Sequence, residues 1–455
     1  MGASRMRKHK ATESGIVRSR CARDDASDNI RTHAAARERG DAMNGTAPFT
    51  FGDLFSGAGG MSFGFRSHQA FRPVFAVDAQ VGKPSSGMGA LECNATYEAN
   101  VGLAPREADL SVYSPQQLMR DVGIKRGELD VLISCAPCTG FSRTNSQNHE
   151  RDDRRNELVE RTGEFVAALR PTILVMENAR ELIRGNFTHH YQNLRASLDS
   201  MGYAVSGEVH MLTDFGLPQV RERALLIAVR ERGRIYTLRD LWGRLMPAPE
   251  SITVRRAIAH LPPVAAGEAH PSDPQHRAPS FSEPVSVERM QAIPKDGGSW
   301  LDLLKRPDAD RLLTPSMKRI IAARDFGSHP DKYGRLWWDR PCVTIKRECS
   351  HVGNGRYAHP EQDRLCTVRE LALLSGFPAH YEFLGTFTNR YRHIGDAVPP
   401  LISFQLAHLC HWMLTGKRPR RGEWCLPGTS LRPEDIVERR EAQTSMPWLE
   451  FKSAV

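Results

Sequence analysis

The sequence predicts an α/β protein in which a doubly wound sheet is followed by a smaller, irregular domain. Three observations carry this. Short apolar runs alternate with helical stretches between about residues 49 and 229. Prolines then cluster at 247, 249, 262, 263, 271, 274, 279 and 284 among long polar stretches. An apolar helical stretch, Pro400 to Leu414, resumes a compact pattern near the end.

Buried strands are expected at Phe49–Leu54, Val74–Val77, Leu129–Ile133, Thr172–Met176 and Ala224–Val229, each a short, largely apolar run flanked by turn formers. Helices are expected between them, at Glu157–Leu169 and Tyr191–Met201. Residues 1–46 have no sustained apolar period and hold ten Lys or Arg against six Asp or Glu, so a disordered basic tail is expected. The expected organisation is then a sheet domain over 47–232, an irregular domain over 233–385, a segment at 386–415 that returns to the first domain, and an extension over 416–455.

The bulk properties narrow the classes. The 455 residues are 40% hydrophobic and 25% charged, a globular composition. No apolar stretch reaches the roughly 18 residues of a membrane span, and the charged N-terminus has no apolar core behind it, so a cytoplasmic protein is expected. The net charge of +9 suits a polyanionic partner or a solvated basic surface. An odd count of nine cysteines without secretory features argues for reduced thiols.

Five stretches carry chemistry. In Asp53-Leu54-Phe55-Ser56-Gly57-Ala58-Gly59-Gly60-Met61 a strand runs into a Gly-rich turn and a helix, which lets a ligand approach the backbone. Its spacing is neither a dinucleotide fingerprint nor a Walker loop. Asp78 ends the next strand, where an acid can hold ribose hydroxyls, and Asp109-Leu110 ends the following segment; a surface Asp is the plainer reading of each. Ser134-Cys135-Ala136-Pro137-Cys138-Thr139-Gly140-Phe141-Ser142 is a metal knuckle, a redox pair or a turn presenting one nucleophile. A zinc site needs about four ligands, and only distant Cys342, Cys349 and Cys366 could complete one. The Pro and Gly favour a loop that aims one residue, with Cys135 packed against the strand and Cys138 projecting. Glu177-Asn178 follows a strand and offers a carboxyl group for acid catalysis. In Gln219-Val220-Arg221-Glu222-Arg223, alternation places Gln219, Arg221 and Arg223 on one face, as an anion site or a solvated edge.

In this order the stretches resemble the DNA (cytosine-5)-methyltransferase family of bacterial type. Asp53–Gly60 resembles its S-adenosylmethionine motif, Pro137-Cys138 with Gly140-Phe141-Ser142 its nucleophile loop, Glu177-Asn178 its Glu-Asn-Val motif, and Gln219–Arg223 its Gln-x-Arg-x-Arg motif. Arg369-Glu370-Leu371-Ala372-Leu373-Leu374-Ser375-Gly376-Phe377-Pro378 and Ile394-Gly395-Asp396-Ala397-Val398-Pro399-Pro400 resemble its last two blocks. The resemblance implies a Rossmann-like methyltransferase sheet with a target-recognition domain over 233–385. It implies S-adenosyl-L-methionine as methyl donor, held by Phe55, Gly57, Gly59, Gly60, Asp78, Asp109, Leu110, Pro137, Asp396 and Ala397. Cys138 would attack C6 of a flipped cytosine, Glu177 would serve N3, and Arg223 and Arg221 would contact the base, Glu177 or a phosphate. No metal is implied. Double-stranded DNA is the expected partner of a monomeric, nucleoid-associated enzyme in restriction–modification or phage defence, with a partner nuclease or defence protein. Cys135, Thr139, Ala179 and Asp396 depart from the family's usual residues, and 81–89 reads as an insertion. RNA cytosine methylation is an alternative, although the Cys-Phe-Thr signature of that branch is absent; a non-catalytic DNA-binding relative is another.

Overall fold

The computed structural model describes residues 47–82, 90–137, 140–141, 152–324, 326 and 329–439. The expected tail at 1–46, Cys138, Thr139, most of the 81–89 insertion and the end of the extension lie outside the described residues.

Seven strands form one sheet. Strand β1 (Phe49–Leu54) pairs in parallel with β2 (Phe71–Asp78) on one side and β4 (Val131–Ser134) on the other. Short β3 (Arg106–Glu107) lies outside β2, and β5 (Ile173–Ala179) lies beside β4, both parallel. Next to β5, antiparallel, comes β7 (Glu222–Val229), and then β6 (Ala204–Met211) at the edge. The order is therefore β3-β2-β1-β4-β5-β7-β6. The chain builds outward from β1 in one direction, returns, and builds outward in the other. Loops leaving the carboxyl ends of β1 and β4 thus diverge, and a crevice opens between them.

Strands β5 and β6 differ from the sequence reading where it bears on the site, and short β3 is absent from that reading. The β5 strand runs to Ala179, so Glu177 and Asn178 lie within it and are buried rather than following it. The β6 strand is absent from the sequence reading: it is partly exposed along nearly its whole length and carries Ser206, Gly207, Glu208 and His210, so it lacks an apolar run.

Helices α1 (Gly60–Ser67), α2 (Cys93–Val101), α3 (Pro115–Val122), α4 (Glu157–Leu169) and α5 (His189–Ser200) cover the sheet. In α3 the Ser114 hydroxyl accepts the Gln117 N–H, Pro115 stands in the first turn, and Gly123 ends the helix left-handed. After β7 the elements are short: β8 (Leu245–Pro247), β9 (Ala269–His270), β10 (Asp273–Arg277), α6 (Pro284–Ala292) and α7 (Pro315–Ala323). Next come α8 (Val368–Leu374), α9 (Phe387–Asp396) and α10 (Pro400–Thr415). The last lies on α1 so closely that a Cβ at Gly64 would stand 2.0 Å from Ser403 Oγ. Strand β11 (Ile436–Glu438) pairs antiparallel with β8, tying the extension back. One continuous apolar cluster runs from Phe51 through Trp300 and Leu365 to Ile436, so the region after residue 232 shares its core with the sheet. Among the described residues no helix is long and apolar enough to cross a membrane.

The basic and aromatic run Lys332–Trp338 is largely interior. Tyr333, Arg335, Leu336 and Trp338 are buried. The Arg335 guanidinium donates to the carbonyls of Ile293, His359, Gln362 and Met290 and pairs with Asp363. It fastens loops through its forked donors and faces no solvent.

The α1–α10 seam predicts acid sensitivity. The rings of His68 and His408 lie 4.4 Å apart and those of His68 and His411 5.1 Å apart, among Phe49, Phe71 and Phe404. Burial and the neighbouring imidazoles lower His68 from 6.5 to about 3, and burial lowers His408 to about 4. The unfolded chain therefore takes up protons that the folded chain refuses, and stability falls as pH drops below about 6.5 toward 4. Urea midpoints should fall over that window, and His68→Leu should flatten the slope; an unchanged slope in the variant would contradict this origin.

Candidate active site

The crevice between β1 and β4 holds a cavity of about 1280 Å³. The turn after β1 forms one wall. Gly57 and Gly59 take left-handed conformations at φ 51° and 90°, and α1 starts at Gly60. The Gly57 N–H donates to Asp78 Oδ2 at 2.8 Å, fixing the turn to the end of β2. The other Asp78 oxygen accepts the Gln80 N–H at 2.6 Å. Among the described residues a Cβ at Gly57 would meet nothing within 4 Å, so the backbone there faces the cavity; at Gly60 it would stand 2.4 Å from the Val398 carbonyl oxygen.

Of the sequence-selected residues, Phe55, Gly57, Gly60, Asp78, Asp109, Leu110, Pro137, Glu177, Asp396 and Ala397 line this one cavity. Gly59 stands behind it, against Tyr97 and Tyr381. Cys138 lies outside the described residues. Cys135, expected to be packed, is only partly buried and reaches the cavity wall.

The loop after β4 is held from β5. Asn178, fully buried, donates from Nδ2 to the Ala136 carbonyl at 3.0 Å, and its Oδ1 accepts the Ala179 N–H at 2.8 Å. Beside it Glu177 Oε1 lies 2.8 Å from Arg223 Nε, with side chains 9% and 14% exposed. Neither atom makes a hydrogen bond among the described residues, so the contact is one of charge, and opposite charges sharing a dry site neutralise one another.

The three polar groups expected on one face divide: Arg221 Nη1 donates to Gln219 Oε1 at 3.4 Å, and only Arg223 reaches Glu177. The Gln219 amide is buried, donating to Ser375 Oγ at 3.1 Å and accepting the Ile345 N–H at 3.1 Å. Arg221 donates to the carbonyls of Ile345 at 3.2 Å and Ala397 at 3.1 Å, and it does not line the cavity. It lies behind the wall and holds Ala397 in place. Alternation along the chain predicts the facing correctly at Arg223 and misses that residues 345 and 397 cover the other two.

Two acids stand out. Asp53, fully buried, accepts from Ser62 Oγ at 2.5 Å, and Ser62 accepts from Tyr97 at 2.8 Å. Burial pushes Asp53 up to about 8, against the pull of the Ser62 hydrogen bond. Among the described residues its other oxygen, Oδ1, has no partner, nor has Ser56 Oγ, and both residues line the cavity. In sequence Asp53 is only the start of the glycine stretch; its acidic type at a strand end is the available signal. Asp396 ends α9, its side chain about a third exposed (34%) and 3.4 Å from Arg347 Nε. Enclosure lifts it to about 6, while Arg347 and Arg221 pull the other way.

Residues 49–412 match the family model described as C-5 cytosine-specific DNA methylase. Over 378 residues the chain is 30% identical to the Type II methylase M.HgiDII of Herpetosiphon aurantiacus, covering 81% of this chain and 97% of that one. Over 367 residues it is 32% identical to the Type II methyltransferase M1.HphI of Haemophilus parahaemolyticus, covering 79% and 85%. A solved structure of a putative DNA modification methyltransferase encoded within an E. coli prophage superposes with a TM-score of 0.54 at 20% identity, covering 81% of this chain and all of that one, a likeness of fold.

Gly60→Ala forces its methyl group against the Val398 backbone. We expect a loss of about 1–3 kcal/mol in chemical denaturation, and an unchanged midpoint would mean that the α1–α10 approach is looser than described.

Proposed function

Because this chain belongs to the C-5 cytosine-specific DNA methylase family, whose reaction places a methyl group on C5 of cytosine in DNA, we propose how its own residues carry that reaction. The observation that carries the reading is the convergence of Glu177, paired with Arg223, on the cavity lined by Gly57, Asp78 and Pro137.

The methyl donor is S-adenosyl-L-methionine, which when bound supplies an electrophilic methyl group on a sulfonium. The cavity suits such a ligand. Gly57 leaves room for close approach to the backbone, the free Asp53 Oδ1 can accept from an ammonium group, and Asp78 and Asp109 stand where hydroxyl and base-edge donors would reach them. Gly59, Gly60 and Ala397 shape the wall, with Phe55, Leu110 and Pro137 as its apolar parts. Asp396 adds negative charge at the mouth.

Cys138 is the nucleophile. Only a few per cent of a free thiol ionises near pH 7, so the attack needs its proton removed as the bond forms. Its sulfur adds to C6 of the cytosine as the thiol proton passes to water; the C5–C6 pair of electrons moves onto C5, and N3 takes a proton or hydrogen bond from Glu177 in its acid form, whose other oxygen faces Arg223. C5 then accepts the methyl group. Water takes the C5 proton, its electrons re-form the C5–C6 double bond, the C6–sulfur bond breaks to release Cys138 as the thiolate, and N3 returns its proton to Glu177. Arg223 orients Glu177 and offers positive charge near the base O2. Arg221 is a positioning residue, acting through Ala397 and Ile345.

A stacked base cannot meet this cavity, so the target cytosine leaves the duplex, at a cost of a few kcal/mol. Residues 233–385 hold and read the DNA, 386–415 return to the catalytic sheet, and 416–455 extend it. The protein acts as a monomer in the cytoplasm beside the nucleoid, as the modifying half of a restriction–modification or phage-defence pair.

Cys138→Ser should abolish methyl incorporation into duplex DNA while leaving donor binding intact. A duplex with 5-fluorocytosine at the target has no C5 proton to lose, so the native enzyme should remain covalently attached to it in a denaturing gel; full activity in the variant would refute the assignment. For Asp53, a cationic donor favours the carboxylate, so its affinity should rise with pH through about 8. Asp53→Asn should weaken binding at least about tenfold and remove that pH dependence, measured by calorimetry.

A further inference from the structure

Outside the machinery above, a second cluster of ligating side chains lies where α4 faces the start of α5. Asp152, His189 and His190 each offer a ligand atom, and these atoms all lie within 4.8 Å of one another. His190 is 3% exposed, its ring tilted 38° to that of His189 at 4.0 Å and edge-on to Phe141 at 5.9 Å. Its Nδ1 lies 2.7 Å from Glu160 Oε1, and Glu160 Oε2 accepts from Asn193 Nδ2 at 3.1 Å. Its Nε2 lies 2.9 Å from Asp152 Oδ2, and His189 Nε2 lies 3.2 Å from that same oxygen.

With the His190 proton on Nδ1 toward Glu160, the Nε2 lone pair points at a carboxylate oxygen that also carries lone pairs, and a second imidazole is brought to that same oxygen. Protons on the two Nε2 atoms would satisfy these contacts, since both could donate to Asp152. A metal ion shared by the three groups satisfies them as well, and the Glu160–His190 pair then has the form of a carboxylate that orients a metal-binding histidine from behind.

We propose that Asp152, His189 and His190 bind one divalent transition-metal cation of the zinc class. Two imidazoles and one carboxylate suit zinc and its neighbours in the series, whereas magnesium and calcium take oxygen ligands. The fourth position opens to solvent past the half-exposed His189. This departs from the sequence reading, which assigns no metal. The ion would brace the approach to the catalytic loop: Asp152 also accepts from Asn156 Nδ2 at 2.8 Å, and Asn156 packs so closely on Gly140 that an added Cβ would stand 2.2 Å from its Oδ1.

The test uses the full chain stripped with a chelator and titrated with zinc against a chromophoric competitor. One equivalent should bind. His189→Ala, at a half-exposed position, should lose at least about tenfold in affinity, and Glu160→Gln, which touches no ion, about 10–100-fold; circular dichroism checks that each is folded. Cobalt in place of zinc should give visible bands without a thiolate charge-transfer band. Equal titration of the native chain and folded His189→Ala, no stoichiometric binding, or a thiolate band that moves the ion to a cysteine would each overturn the proposal.

Discussion

Everything at the site depends on the reversal of strand order at β1. Parallel strands place all their carboxyl ends on one edge of the sheet, and only where the chain changes direction do adjacent loops part. Here the parting falls between β1 and β4, so the glycine turn and the Pro137 loop emerge as neighbours that must separate. The Gly57–Asp78 bond holds the first loop open and the Asn178–Ala136 bond holds the second. Glu177 needs no loop to position it, because it belongs to β5 and inherits the register of the sheet.

The catalytic half is legible in the sequence because its signals are local. The β1 run, the glycine spacing and the Glu177-Asn178 pair each depend on a few adjacent residues. The features that escape a sequence reading depend on partners far along the chain. Gln219 and Arg221 look like Arg223 in pattern, yet residues 345, 375 and 397 draw them into the interior. The Lys332–Trp338 run has the composition of a nucleic-acid face, but carbonyls from four separate positions satisfy Arg335 inside the protein. Strand β6 is invisible because an edge strand need not be apolar. Asp53 is visible but undervalued, since nothing in the sequence says that one of its oxygens lacks a partner.

These buried polar groups form the joint between the sheet and the later elements packed on it. Gln219 and Arg221 are costly to bury and costlier to leave half paired. They discriminate among dockings of two surfaces that apolar packing alone would accept in several registers. The continuous apolar core supplies most of the drive to associate; the polar joint selects one alignment, and with it the location of Ala397 on the cavity wall.

The contact of α10 with α1 has a consequence in time. The Ser403 hydroxyl donates to the carbonyl of Gly60, 343 residues earlier. At about 5–20 residues per second, a ribosome needs about 20–70 s to travel that distance. Throughout that interval the glycine turn exists in the nascent chain without the helix that backs it, and Arg221 in turn waits 176 residues for Ala397. The enzyme therefore cannot be assembled by halves as it is made. The cavity wall is completed only once Ala397 and Ser403 have been made.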